Sequence, residues 1–386
     1  MKKHFFYIAI LASMAVACSE DTDLPVPDSG LQKDPAAVLA EDFFLSVQPS
    51  KTRGSVPKFT VDAIERQMYH AVGDTVLPVE VTRAATDDSL AFEIQTITFH
   101  TGDQQGYAVV SDDERLKTVY YFTEVGQLSD TADIAPLKEF IDSIPLFAQG
   151  DILNPMLQSS ISTDYMYVPG LISYTWGQHS PYNWYGRYCN CSKCSQEDRA
   201  YHNPIGCITT ATAEVIACCG KFRGTYYGNK DIDFTRLRKS TEQFLEGRNI
   251  EDAKLVASFF HEVALGCQIK FDCDGSASHP KAIYNYLRDM GYDCTYAEGN
   301  LDINRFINNL SNGYPHIICG KKNLREGHAW VIDGVHILNG NISFRMVWGN
   351  DGHSDGWSKA NPYTKPMTST QFSRDLKHVY INSIYL

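Results

Sequence analysis

The sequence predicts an α+β protein in which strands and helices are segregated along the chain rather than alternating. Two observations carry this. Period-two alternation of apolar and polar residues recurs between about residues 91 and 122, ahead of a helical stretch; farther on, a run of predicted helices is followed by a second series of short apolar strands. A third observation divides the chain. Residues 19–165 carry 25 acidic against 9 basic side chains, whereas residues 166–386 carry 21 against 23. An acidic first half is suited to docking on a near-neutral second half, and the same charge also serves solubility. The 386 residues, 43% hydrophobic and 21% charged, suffice for a core in each half. No basic stripe is present, so nucleic acid is not expected as a partner.

The elements follow in order. Met1-Lys2-Lys3 precedes an apolar run from Phe5 to Ala17 that is too short to span a bilayer, so residues 1–17 read as an export signal. The run ends in Met14-Ala15-Val16-Ala17-Cys18. Small residues before a cysteine resemble the lipobox of bacterial lipoproteins, which implies lipidation of Cys18. The acidic tract Ser19-Glu20-Asp21-Thr22-Asp23 resembles the signal that sends some Gram-negative lipoproteins to the cell surface. The expectation is an exported chain, lipid-anchored to the outer membrane, exposed at the surface or released on maturation. Residues 18–35, rich in Pro and Asp, read as a tether.

Ala36–Val47 has an amphipathic helical pattern. Phe92–Phe99, Gly106–Ser111 and Thr118–Phe122 read as strands, with Asp112-Asp113 as a turn, and Ile134–Phe147 reads as a helix. Residues 36–150 are therefore expected to form a small α+β domain. Polar residues between Gln149 and Asp164 form a linker, assigned to 151–165, open to proteolysis. Residues 166–386 make the second domain. Its helices are expected at Cys207, Phe234–Leu245, Glu251–Leu265 and Lys281–Met290, and its strands at His316–Cys319, His328–Ile332, Ile342–Val347 and His378–Ile384.

Of the eleven cysteines, none falls between Ser19 and Tyr188, so the first half folds without disulfides. Setting aside Cys18 and Cys207 leaves nine, an odd number, so at least one thiol is free or pairs between chains. Cys189-x-Cys191-x-x-Cys194 has the spacing of a metal knuckle, with His202 eight residues on. No second knuckle is evident, so disulfides or a reduced loop are expected and no metal. Asp272-Cys273-Asp274-Gly275 reads as a turn rather than a calcium loop. No cofactor is implied.

The chemistry concentrates at two places. Cys207 follows Asn203-Pro204-Ile205-Gly206 and opens the small-residue stretch Ile208–Ala213. A thiol at a helix N-terminus has its pKa lowered by the dipole and by any nearby imidazolium, which makes it a nucleophile. His328 lies in Glu326-Gly327-His328-Ala329-Trp330-Val331, a glycine followed by an apolar strand, and can complete a Cys/His pair.

These segments, together with Trp176-x-Gln178-x-x-Pro181-Tyr182-Asn183 and Trp348-Gly349…Gly352…Ser354-Asp355-Gly356-Trp357, resemble the streptopain family of cysteine peptidases. Gly106-Tyr107-Ala108-Val109-Val110-Ser111-Asp112-Asp113 is similar to that family's propeptide. The resemblance implies a secreted zymogen with a papain-like catalytic domain over residues 166–386. Its own propeptide would be an intramolecular inhibitor removed by proteolysis, and its substrates would be proteins or peptides. It implies Cys207 as nucleophile, His328 as general base and acid, Gln178 as the oxyanion-hole side chain and Trp348 as a shield for the histidine. One departure stands out. Where the family carries an asparagine that orients the histidine, this chain has Val347, which cannot accept a hydrogen bond. The alternative is accordingly a catalytically impaired surface binding protein that keeps the peptidase fold.

Overall fold

The structure, a computed structural model, describes residues 33–48, 56–72, 75–79, 90–153, 165–222, 232–246, 250–299, 301–321, 327–359 and 374–384. Cys18, the signal, the tether up to residue 32 and most of the expected linker (154–164) lie outside these residues. Among the described residues no helix is long and apolar enough to cross a membrane.

Helix α1 (Pro35–Ser46) starts where its sequence says it should. Asp34 caps it, accepting from the Ala36 N–H at 3.0 Å, and proline occupies the first turn. Ala36, Ala40 and Phe44, each four residues apart, bury one face. Strands β1 (Phe59–Val72), β2 (Thr75–Pro78), β3 (Leu90–Thr101), β4 (Gln104–Ser111) and β5 (Thr118–Thr123) form an antiparallel ribbon, followed by α2 (Ala135–Leu153). Strand β1 was not expected. It lies toward one edge of the sheet, and most of its side chains are exposed or half-exposed, so apolar residues do not alternate along it.

After β6 (Tyr165–Val168) come α3 (Cys207–Cys219), α4 (Phe234–Leu237), α5 (Thr241–Leu245), α6 (Ile250–Gly266) and α7 (Pro280–Asp289). The single helix expected over 234–245 is two short ones. Ser240 starts the second, with its hydroxyl on the Gln243 N–H and the Gln243 side chain returning to the Ser240 N–H. The remaining elements are β7 (Tyr292–Glu298), α8 (Ile303–Ser311), β8 (His316–Lys321), β9 (Gly327–Leu338), β10 (Asn341–Val347), β11 (Gly356–Lys359) and β12 (Arg374–Ile384).

The two halves share one twelve-stranded sheet in the order β2-β1-β3-β4-β5-β11-β10-β9-β8-β12-β7, with β6 added on β9. The seam is β5 on β11, where Trp357 pairs with Phe122 and Ser358 with Tyr121. Side chains alternate across β9. Ala329 and Val331 join α3, α6 and α7 in one core, while Trp330 and Ile332 join α2 and α8 in another. That second core contains Tyr107, Tyr121, Ile144 and Phe147 from the first half beside Phe344, Trp348 and Tyr380 from the second. The first half is thus fused by burial as well as by strand pairing. The acidic half contributes a buried ion pair across to the second half, Asp151 to Lys359 at 2.7 Å, and Asp151 still belongs to α2, which runs six residues past the helix end expected at Phe147. A buried pair of this kind adds little net stability once desolvation is set against it, but removing one partner would leave an uncompensated charge.

Candidate active site

Helix α3 begins at Cys207 because the chain reverses sharply just before it. Gly206 has φ of +94°, and a Cβ there would stand 2.6 Å from the Ser276 carbonyl oxygen, so only glycine fits. From Ile208 to Ala217 the helix is buried on all sides, and two of its threonines donate to carbonyls four residues back: Thr209 to Ile205 at 2.8 Å and Thr212 to Ile208 at 2.6 Å. A helix packed on all sides holds its first residue in place.

His328 sits near the start of β9, beside that helix. The Cys207 sulfur accepts hydrogen bonds from the Ala329 N–H at 3.3 Å and from the Ile208 N–H, and it lies in hydrogen-bonding contact with the His328 ring. Both heads keep some solvent access, yet the protein around them is dense enough that burial is the largest single influence on each. Burial alone would raise the thiol pKa and lower that of the imidazole. The two groups' mutual charge and hydrogen bond reverse both, so Cys207 lies below its ordinary pKa and His328 above its own. Both shifts run toward the thiolate–imidazolium form.

The group that orients His328 is the backbone. Its Nε2 is 3.1 Å from the Trp348 carbonyl oxygen. Val347, in contrast, is buried at the end of β10 and packs into the core with Ala211, Ala329 and Val331. Residue 348 is itself pinned: its N–H donates to Asp355 Oδ1 at 2.8 Å, and its indole N–H to the Tyr121 hydroxyl at 3.4 Å. Burial pushes the Asp355 carboxyl up to about 6, against the pull of Arg345. The ring standing parallel to His328 is that of Trp330, at 6.3 Å and 14°, and the Trp348 ring packs on Trp330 at 5.7 Å. Trp330 follows His328 by two positions on β9 and so shares its face, a relation the strand period alone could have flagged.

The Gln178 backbone is tied to the turn that precedes Cys207. Its carbonyl accepts from the Ile205 N–H at 2.9 Å, two residues before Cys207, and the Thr210 hydroxyl donates to the Gly177 carbonyl at 3.2 Å. The loop is tied to the Trp348 side as well, through the Asp351 N–H on the Trp176 carbonyl at 3.0 Å. Gly177 allows this approach, since a Cβ there would collide with the Asp351 carboxylate. Cys207, His328 and the Trp348 backbone therefore come together from three separated segments, with the backbone of Gln178 fastened two residues before Cys207. Asp355, Tyr121 and Trp330 were not singled out as positioning groups by sequence. His179 pairs with Asp198 at 3.0 Å, and His202 turns its Nδ1 to the Ala200 carbonyl at 2.8 Å, so neither joins the pair.

The first half reaches this neighbourhood from one side. The Tyr121 hydroxyl donates to the Ser354 carbonyl, the Thr123 hydroxyl donates to the Asp355 carbonyl at 2.7 Å, and the Ser354 N–H donates to the Val125 carbonyl at 3.1 Å.

The model of the Peptidase C10 family matches residues 176–358. A prointerpain A fragment of Prevotella intermedia is similar in fold, with 20% sequence identity and a TM-score of 0.56, covering 74% of this chain and 94% of the fragment. Active interpain A from the same organism aligns with 21% identity and a TM-score of 0.46, over 57% of this chain and 97% of its own. Among curated proteins no significant match is found.

Proposed function

Residues 176–358 being a Peptidase C10 region, that of a cysteine-type peptidase, we propose that the full chain is the zymogen of a lipid-anchored cysteine endopeptidase, with residues 36–150 as its propeptide. The observation that carries the reading is the Cys207–His328 pair, with the sulfur under backbone donors and the imidazole held on the Trp348 carbonyl. The Val347 departure, which motivated the non-catalytic alternative, is met by that carbonyl.

The reaction then runs as follows. The Cys207 thiolate attacks the peptide carbonyl carbon, forming a C–S bond and an oxyanion. The Cys207 backbone N–H and the Gln178 side-chain amide stabilise the oxyanion. His328 gives its proton to the leaving amine as the C–N bond breaks. It next takes a proton from water, which attacks the thioester and releases the acid and the thiolate. Substrates are proteins or peptides, and no cofactor is called on.

The propeptide restrains the enzyme through its grip on the Trp348–Gly356 segment. Tyr121, Thr123 and Val125 fasten the turn that carries Ser354 and Asp355, and β5 occupies the edge of β11. Helix α2 extends through Leu153 and β6 begins at Tyr165, so the maturing cut is expected within 154–164.

Replacing Gln178 by alanine tests the oxyanion role. We expect kcat/KM for a peptide amide to fall about 10²- to 10³-fold. Alkylation of Cys207 by iodoacetamide should stay close to the wild-type rate, because that displacement develops no carbonyl oxyanion. Equal losses in both assays would instead mean that Gln178 only supports the loop. The anchor rests on Cys18 alone. Detergent-phase partition should be lost in Cys18→Ala, and a variant that still partitions would remove the lipid from the proposal.

A further inference from the structure

Cys189, Cys191 and Cys194 do not stand alone. Cys273, 79 positions beyond Cys194, folds onto them, and the four sulfur atoms all lie within 4.8 Å of one another. We propose that these four cysteines form a structural site for a thiophilic divalent cation, Zn²⁺ being the fitting one. A tetrahedral zinc with four Zn–S bonds of about 2.3 Å sets its sulfurs about 3.8 Å apart, and small side-chain rotations bring the four to that spacing. The site is clear of the catalytic pair, and the inference stands apart from the peptidase reading.

The local chain is shaped for it. Residues 191–194 form a turn in which the Ser195 N–H donates to the Cys191 carbonyl at 3.0 Å, while the Lys193 and Cys194 N–H groups point at the Cys191 sulfur. Backbone donors of this kind stabilise a metal-bound thiolate. The fourth ligand comes from a second turn, Asp272–Gly275, closed by the Asp274 N–H on Asp272 Oδ1 at 2.9 Å. One positive side chain, Arg199, stands beside the cluster and offsets part of the charge of four thiolates on one zinc. Arg199 donates to the Cys273 carbonyl at 2.9 Å, and Lys193 pairs with Asp274. Cys194 is buried, and the other three are half-buried. Four ligands leave no open position, which is the pattern of a structural site rather than a catalytic one.

Its place in the fold gives it a job. Asn203 Oδ1 lies 3.6 Å from both the Cys194 and Cys273 sulfurs, and Asn203 begins the turn that delivers Cys207. The Ser276 carbonyl, three residues after Cys273, is the atom packed against Gly206. Binding four thiolates to one cation, with release of their protons, would lock these two turns together beneath the nucleophile.

The rival state is oxidised. Cys189 and Cys273 have sulfurs only 2.6 Å apart, and a disulfide there would remove two ligands. The experiment is elemental analysis and cobalt titration of the full chain, purified under reducing conditions with zinc supplied. We expect about one zinc per chain, and cobalt replacing it with the ligand-field bands of a tetrahedral thiolate site. Cys273→Ser should lose both signals, and Cys218→Ser, outside the cluster, should keep both. Should Cys273→Ser fail to fold, the wild-type cobalt spectrum decides by itself. A reduced wild-type chain that takes up neither metal overturns the proposal. So does equal metal uptake by a folded Cys273→Ser chain.

Discussion

A chain in which Cys207 is replaced by alanine is expected to keep its full length during incubation, while the wild-type chain shortens by its acidic N-terminal half. The measurement is intact mass over time for the two proteins, purified from Ser19 onward and kept in reductant. The prediction follows from geometry. Alanine keeps the helical start after Gly206 and fits the volume, so the fold is undisturbed, but no atom remains to attack a carbonyl. Loss of the nucleophile from a comparable protease machinery costs on the order of 10⁶ in kcat. Residual cleavage in the variant is therefore expected to be undetectable. The cut should fall between Leu153 and Tyr165, which end α2 and begin β6. After it, strand pairing of β5 on β11 and the shared core hold the released segment in place, so the mass should change before a gel-filtration profile does. Shortening of the Cys207→Ala chain at the wild-type rate would mean that another protease is responsible. Stable length in both proteins, with no hydrolysis of added peptide by a chain starting at Tyr165, would return the protein to the non-catalytic alternative.

Replacing His328 by alanine should have the second-largest effect, and it carries a pH signature. In the wild type, burial pushes the Cys207 thiol up and His328 pulls it below its ordinary pKa of about 8.5. Cys207 should therefore be alkylated at lower pH than an ordinary thiol. The rate of peptide hydrolysis should fall on the acid side as the thiolate is protonated. It should fall again on the alkaline side only above the ordinary histidine value of about 6.5, because the pair raises the His328 pKa. Without His328 only the upward push of burial and the two backbone donors remain. The alkylation profile should then move to alkaline pH, and hydrolysis should fall about 10⁴-fold or more. An unchanged alkylation profile would show that the backbone donors, not the histidine, make the thiolate. The companion variant Val347→Asn should bring no gain in hydrolysis. Position 347 points into the core, and the Trp348 carbonyl already takes the Nε2 proton. A clear gain would mean that this carbonyl is a poor orienter.

Much of the site was legible beforehand because its parts are local. A glycine before a cysteine and a small-residue helix, a glycine before a histidine and an apolar strand, and a glutamine flanked by aromatics each announce themselves within a dozen residues. Helices α1, α3, α6 and α7 were readable for the same reason: caps and periodicity act over three or four positions. Strands β1 and β7 were missed, as was the break between α4 and α5. The β1 side chains are too exposed to alternate and the α4–α5 boundary rests on one capping serine, whereas β7 does alternate, with Tyr292 and Cys294 buried and Asp293 and Thr295 half-buried.

By itself the sequence determined the candidate residues, since the identity and order of Gln178, Cys207 and His328 are covalent facts, and the α+β class follows from the pattern of strands and helices around them. Only the tertiary structure decided what orients His328, because a backbone carbonyl leaves no mark in the sequence and acts only where β10 delivers it. It also decided that the acidic half joins the same sheet, with Tyr121 meeting Ser354 across 233 positions, and that Cys273 meets a knuckle 79 residues before it. The reason is the same in each case. Such contacts are selected by burial and strand pairing between distant segments, whose cost in loop closure grows so slowly with separation that spacing along the chain cannot predict them.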